Sequence, residues 1–339
     1  MTQRWLDYPF GLDPTEHDPG AWGASLLYNA ELVMDVLDVA GGASITEVGA
    51  LHGDLTRLLL LWAQQSAARV SAVDPTPPPE LEALAAEHPE LTLIREPSHD
   101  ALAQIPLGDT VILDGDHNYF TVSEELRIIS ERAEQEQRIL PLLLLHDVGW
   151  PHGRRDDYFV PERIPTEHRQ PIAPEAGLYP GDPGTRPGAL PYHYPAAREG
   201  GPRNGVLTAV EDFVAARGQL HLAIIPSFFG VGIVWDASAA WSVRLTELLA
   251  PWDRNEHLQR LEHNRVVHLA NTLVQLSAVR EAEAQLEAKG RRLEQQRELL
   301  SRIAQSRAFW AAERFLRSRD REPAFSREAI RRVLDGTEE

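Results

Sequence analysis

The 339-residue chain contains no cysteine, which excludes disulfides, zinc–thiolate centres, iron–sulfur clusters and a cysteine nucleophile, and fits a reducing compartment. Any metal must therefore sit on oxygen or imidazole. A basic excess is also missing. The 33 Lys+Arg stand against 51 Asp+Glu, a formal charge of −18, so no broad basic face for nucleic acid or an anionic membrane is expected. No apolar run approaches the ~20 residues of a membrane span; LLLLWA (58–63) and ILPLLLLH (139–146) are the longest and read as a buried helix face and a buried strand. The start, MTQRWLDYPF, lacks the apolar centre of a signal peptide. The expectation is a soluble, cytoplasmic protein with no nucleic-acid partner and no integral membrane segment, whose 43% hydrophobic content suffices for a real core.

After an aromatic- and Pro-containing arm (1–22), residues 23–40 carry Leu26, Leu27, Ala30, Val33, Met34 and Leu37 at helical spacing, and Gly41-Gly42 ends that helix. Ile45–Val48 is a strand leading into the turn E-V-G-A-L-H-G. Leu55, Leu58, Leu59 and Trp62 then resume helical period, and Val70–Val73 closes on Asp74. That is a right-handed βαβ unit with an acidic residue past its second strand. The alternation continues through helix 79–87, strand Leu91–Ile94, a short helix near 99–104, strand Thr110–Leu113, helix 121–135 and strand Leu142–Leu145. Nearly continuous apolar strands alternating with helices predict a parallel α/β sheet covered on both faces. Residues 150–205, crowded with Pro, Gly, Tyr, His and Arg, form a long loop of the kind that is either functional or disordered. Helix 206–217 follows, then strands His221–Pro226 and Gly230–Trp235, separated by three residues and hence antiparallel. From 239 onward the pattern is helical. Leu286, Leu293 and Leu300 lie seven apart, but the register breaks near Glu283 and Gly290 interrupts it, so only a short coiled-coil seam is expected.

VILDGDHNYF (111–120) ends an apolar strand in two carboxylates and an imidazole, although unpaired charge at the end of a core element is costly. Asp114 ends the fourth strand and Asp147 the fifth, and neighbouring strands lie ~4.8 Å apart, so the two carboxylates can meet above the sheet. Two carboxylates so close repel unless one is protonated or a cation sits between them. Mg²⁺ suits such a pair, since it needs only one or two protein carboxylates. His117 can point into the same space as a general base. The bland alternatives are that Asp114 caps a helix, that Asp116 is a turn residue, that His52 is packed beside the turn and that His146 only orients Asp147. In the first βαβ unit, Glu47, Gly49 and Gly53 form a tight acidic turn suited to a cationic ligand, and Asp74 is placed to take a ribose diol.

The order of elements, the terminal hairpin HLAIIPSFFGVGIVWD, the E-V-G-A-L-H-G turn and Asp74 together resemble a class I S-adenosylmethionine-dependent methyltransferase over roughly residues 23–236. The resemblance implies a Rossmann-like, doubly wound, mostly parallel seven-stranded sheet with a terminal antiparallel hairpin, followed here by a C-terminal helical, partly coiled-coil extension. It implies that Glu47, Gly49 and Gly53 lie against the methionine part of the cofactor, that Asp74 binds its ribose, and that Ser98 or its neighbours flank adenine, with Asp114 beside them. The segments D-G-D-H-N-Y and L-H-D also resemble the metal-dependent O-methyltransferases acting on sugars of macrolide antibiotics. There the metal set would fall on Asp114, Asp147 and His146, which stands at the position of the family's first acid, and the base on His117. The implied activity is magnesium-assisted methylation of a hydroxyl on a small-molecule or glycan acceptor.

In the long loop, Trp150, Arg154, Arg155, Asp157 and Tyr158 are candidate acceptor contacts, aromatics for stacking and arginines for anionic or polar groups. The alternative is that Arg154, Arg155, Asp156 and Asp157 pair among themselves and stiffen the loop. The tail carries Arg291, Arg292, Arg297, Arg302, Arg307, Arg314 and Arg317, and a homodimer through its helices is one expectation, a solvated helix the other. Two further readings remain for the whole chain: a metal-independent methyltransferase acting on an amine or carboxylate, and a non-catalytic scaffold working through its tail.

Overall fold

The computed structural model describes residues 24–319 and 326–335; the expected arm 1–22 lies outside them. The chain divides into two compact units, Met1–Val274 and Gln275–Glu339. In the first, a 3₁₀ turn, Leu26–Asn29, leads into α1 (Ala30–Ala40), which ends on Gly41 at φ +69°. There follow β1 (Ser44–Val48), α2 (Asp54–Ser66), β2 (Arg69–Val73), α3 (Pro79–Glu87), β3 (Leu91–Ile94), α4 (Ser98–Gln104), β4 (Thr110–Leu113), α5 (Tyr119–Gln135) and β5 (Leu142–His146). The long loop carries two short strands, β6 (Ala176–Leu178) and β7 (Leu190–Tyr192), and the sheet is completed by α6 (Val206–Ala215), β8 (Leu220–Ile225) and β9 (Val231–Asp236). After α7 (Ser242–Leu249) comes α8 (Glu256–Gln305), then α9 (Arg307–Arg317) and α10 (Arg327–Asp335).

The main sheet has seven strands in the order β3-β2-β1-β4-β5-β9-β8, parallel except for β9, which pairs antiparallel with both β5 and β8. This is the parallel α/β sheet expected from the alternation of elements, in the Rossmann-like order that the resemblance implied. Its strands read as unbroken apolar runs because both faces are covered. Leu142 and Leu144 of β5 join the core under α1, α2 and α7, while Leu143 and Leu145 join the core under α5 and α6. Since β2 lies on one side of β1 and β4 on the other, the strand order reverses between β1 and β4, and a crevice opens at their carboxyl ends.

The 50-residue α8 passes through Glu283 and Gly290 without a break. The expected interruption belongs to the leucine register, not to the helix. A single exposed glycine costs a helix only about 1 kcal/mol, and pairs such as Arg291–Glu287 (3.4 Å) at i,i+4 spacing offset part of that.

Candidate active site

Gly49 leaves β1 at φ +85°, and a Cβ there would stand 2.0 Å from the Asp114 carbonyl oxygen and 2.7 Å from Gly115 Cα. Only glycine lets the exits of β1 and β4 approach so closely. Gly53, at φ +78°, then starts α2. Asp74 fixes this turn from β2, accepting the Leu51 N–H at 3.0 Å and the Thr76 N–H at 2.9 Å. Its carboxylate keeps further lone pairs for a ligand, because each oxygen accepts more than one hydrogen bond. Glu47 is buried and accepts the Thr56 hydroxyl at 2.6 Å. Burial pushes its carboxyl up to about 8, against the Thr56 hydrogen bond and with Asp114, Asp54 and Asp74 adding to the rise. The crevice encloses about 370 Å³, and Glu47, Gly49, Asp74, Ser98, Asp114, Asp116, His117 and Asp157 all reach its wall.

Asp114 follows β4 directly, held by its N–H to the Val48 carbonyl at 3.0 Å. Asp147 follows β5 in the left-handed region at φ +58°. Together with His117 they form a group whose ligand atoms lie within 4.8 Å of one another. His117 Nε2 sits 3.1 Å from Asp147 Oδ2 and 3.7 Å from Asp114 Oδ1, yet lacks hydrogen-bond geometry to any group among the described residues. Burial alone would depress this imidazole; Asp147 and Asp114 outweigh it and raise it to about 10. The expected meeting of the two carboxylates occurs, with the His117 imidazole beside both.

His146, the last residue of β5, is spent elsewhere. Its Nε2 lies 2.8 Å from the Phe228 carbonyl and its Nδ1 3.1 Å from Asp114 Oδ1. A carbonyl only accepts, so Nε2 carries a hydrogen; facing an ionised Asp114, Nδ1 donates as well. Burial works against that charge, but Asp114 and Asp147 lift His146 to about 9. Burial likewise opposes ionisation of Asp114, and the two imidazoles override it, holding the carboxyl at about 2. In this arrangement His146 offers no lone pair to a metal and instead orients Asp114.

The loop after β5 folds into a lid with its own polar core. Asp156 is fully buried and accepts the Tyr119 N–H (2.7 Å), the Gly205 N–H (2.7 Å) and the Tyr158 hydroxyl (2.8 Å). Arg155 is also fully buried, donating to the carbonyls of Ala196, Pro183 and Gly184. Arg154 pairs with Glu211 of α6 at 2.7 Å, and Trp150 packs against the cluster of Leu190, Phe229, Val266 and Leu269. Thus Arg154, Arg155 and Tyr158, expected as acceptor contacts, are engaged by the lid and its neighbours, close to the alternative of a self-stiffened loop. Asp157 does face the crevice, where burial pushes its carboxyl up to about 6 and its Oδ1 has no hydrogen-bond partner among the described residues. Asp116 ties lid to sheet, accepting from Asn118, Thr121 and the Phe159 N–H.

Composition and spacing did not single out His152, Tyr192 or Arg163. The His152 ring stacks on His117 at 4.8 Å and meets the edge of Tyr192 at 4.9 Å. Arg163 is the one Arg or Lys among the described residues that line the crevice. These three come from the lid, and only its folding brings them near β4 and β5.

No protein-family model matches the chain, and neither does any curated protein. Among solved structures it is similar to a Podospora anserina methyltransferase bound to S-adenosylhomocysteine, at 15% identity over 66% of this chain and 83% of that chain, TM-score 0.40. A Streptomyces caelestis methyltransferase aligns at 15% identity over 66% of this chain and 100% of that chain, TM-score 0.35. Human N-acetylserotonin methyltransferase in complex with S-adenosylmethionine aligns at 12% identity over 64% of this chain and 54% of that chain, TM-score 0.35. At such identities and scores, the functional reading rests on the site itself.

Proposed function

We propose that this chain is an S-adenosylmethionine-dependent methyltransferase, and specifically a magnesium-assisted O-methyltransferase acting on a hydroxyl of a sugar, glycan or polyhydroxylated natural product. One observation carries the reading: the crevice at the β1/β4 reversal brings Glu47, the Gly49 turn and Asp74 to one wall and Asp114, His117 and Asp147 to its edge. The cofactor is a cation with an ammonium and a ribose diol. Glu47 is a buried acid without a cationic partner among the described residues, and Asp74 has lone pairs to spare for hydroxyl groups. The residues present fit the cofactor, which when bound supplies an electrophilic methyl group.

The two carboxylates also fit a hard divalent ion, and beside them the His117 Nε2 is buried without a hydrogen-bond partner among the described residues. Asp114 and Asp147 would hold it, and it would lower the pKa of a bound hydroxyl while providing the positive charge that His117 otherwise brings. His117, then neutral, accepts the acceptor's proton at Nε2 as its oxygen is methylated. His146 keeps Asp114 oriented and ionised. Asp157, with a free carboxylate oxygen, accepts a second donor of the acceptor.

A second reading is favoured by the closeness of His117 to both carboxylates. An imidazolium there, together with that of His146, balances the two carboxylates without metal, and the enzyme would then act on an amine or carboxylate acceptor. Calorimetry with S-adenosylhomocysteine separates the readings from each other and from a non-catalytic scaffold. Binding is expected, and D74A should weaken it about tenfold, the loss of charge-assisted hydrogen bonds to a diol. Turnover of S-adenosylmethionine over a panel of glycoside acceptors should stop with EDTA and fall about 10²–10⁴-fold in H117Q while cofactor affinity holds. Turnover indifferent to EDTA would favour the second reading, and absence of cofactor binding would end both.

A further inference from the structure

The turn between β8 and β9 does more than join two strands. Phe228, Phe229 and Gly230 follow one another at φ +45°, +67° and +93°, three consecutive left-handed residues of which two carry bulky side chains, a conformation that persists only when its surroundings enforce it. The peptide unit linking Phe228 to Phe229 is held at both ends. Its carbonyl accepts from His146 Nε2 at 2.8 Å, and its N–H donates to Glu262 Oε1 of α8 at 2.8 Å. Glu262 is fixed in turn by Arg265, which donates from Nε at 2.7 Å and from Nη2 at 2.6 Å and lies over the Phe229 ring at 4.5 Å. The far side of His146 bonds Asp114 at 3.1 Å. A continuous path therefore runs from α8, outside the sheet, through one peptide plane to a carboxylate at the crevice.

We propose that Glu262 and Arg265 are positioning residues for Asp114, clamping the Phe228–Phe229 peptide so that its carbonyl fixes the His146 ring. The peptide plane is the moving part. With Glu262 absent, the Phe229 N–H loses its acceptor and the plane is free to rotate, which takes the carbonyl away from His146 Nε2. The Gly149 N–H to the Phe229 carbonyl (2.6 Å) and the Ser227 hydroxyl to Asn29 (2.7 Å) hold the neighbouring units of the turn but not this one. Asp114 matters here because of the functional reading given above, but the clamp itself is testable without it.

The test uses the full chain with ¹⁵N-labelled histidine, the His146 resonance being assigned from its absence in H146Q. In the wild type the buried Nε2–H should exchange slowly with solvent. In E262A it should exchange about tenfold faster, the loss of a hydrogen bond to a charged group, whereas E262Q, which keeps an acceptor for the Phe229 N–H, should stay close to wild type. A lowered melting temperature in E262A with unchanged His146 exchange would overturn the proposal and leave Glu262 a purely structural residue. If E262A does not fold, R265M provides the comparison: Glu262 without its guanidinium partner should loosen the same proton, and no change would again overturn the clamp. Failure of the wild type to bind S-adenosylhomocysteine would sink the methyltransferase reading while leaving this exchange comparison valid.

Discussion

At the scale of single residues, the site is a problem of placing charge where water is scarce. Glu47 is the clearest case, since burial lifts its carboxyl to about 8. In the unfolded chain it ionises near its ordinary 4.5, so folding carries a cost that starts above that pH and grows toward 8. E47Q removes the cost, and its melting temperature relative to wild type should gain about 2–4 °C more at pH 8 than at pH 5, measured without ligand. His117 and His146 have the opposite sign. Raised to about 10 and about 9 from an ordinary 6.5, they add stability that is complete below that ordinary value and fades as pH climbs through 9 and 10. Asp114, held at about 2, adds stability present above its ordinary 3.8 and lost as pH falls through 2. Thermal scans from pH 6 to 10 should therefore fall in the wild type, and D114N should flatten that fall by removing one partner of both imidazoles. The sequence identified the two carboxylates and His117 from their places at strand ends. It did not reveal that His146 would be occupied on both nitrogens, because that depends on a carbonyl 82 residues further along.

At the scale of elements, the lid is a folded piece built around Asp156. Three donors converge on one fully buried carboxylate, from the start of α5, the start of α6 and the lid's own Tyr158. Removing the acceptor leaves buried donors unpaired at about 1–3 kcal/mol each. D156A should lower unfolding free energy by about 3 kcal/mol or more in urea titrations, with cleavage by a protease first appearing between residues 157 and 204. D156N, which keeps the size but turns acceptors into donors on one side, should recover only part of the loss. Arg154 and Arg155 were legible as important, with acceptor contact and a loop-stiffening role both open, but their partners were not. A guanidinium surrounded by backbone carbonyls looks in sequence like one waiting for a substrate, and only the path of residues 183–196 around Arg155 distinguishes them.

At the scale of the whole molecule, the sheet unit and the helical unit pose different questions. Val279, Leu286 and Leu293 are 52–68% exposed on α8, an apolar row that an isolated helix leaves wet. We expect a second copy to cover it. Replacing Leu286, Leu293 and Leu300 by serine should halve the mass seen in sedimentation, and a monomeric wild type would end the dimer reading. No helix among the described residues is long and apolar enough to cross a membrane.

The sequence by itself determined the order of strands and helices, the parallel sheet, the antiparallel last strand, and the strand ends on which Glu47, Asp74, Asp114 and Asp147 would sit. These follow from apolar periodicity and short connections, which are local properties, and from the rule that such sheets open a crevice where strand order reverses. Only the tertiary structure decided which side chains remain free at that crevice. Arg155, Tyr158 and His146 were removed from it, and His152, Tyr192, Arg163 and the Glu262–Arg265 pair were brought to it or behind it. The reason is physical: a buried polar group takes whatever partner folding delivers, and partners such as the carbonyls 41 residues from Arg155 and 82 residues from His146 leave no periodic trace in the chain.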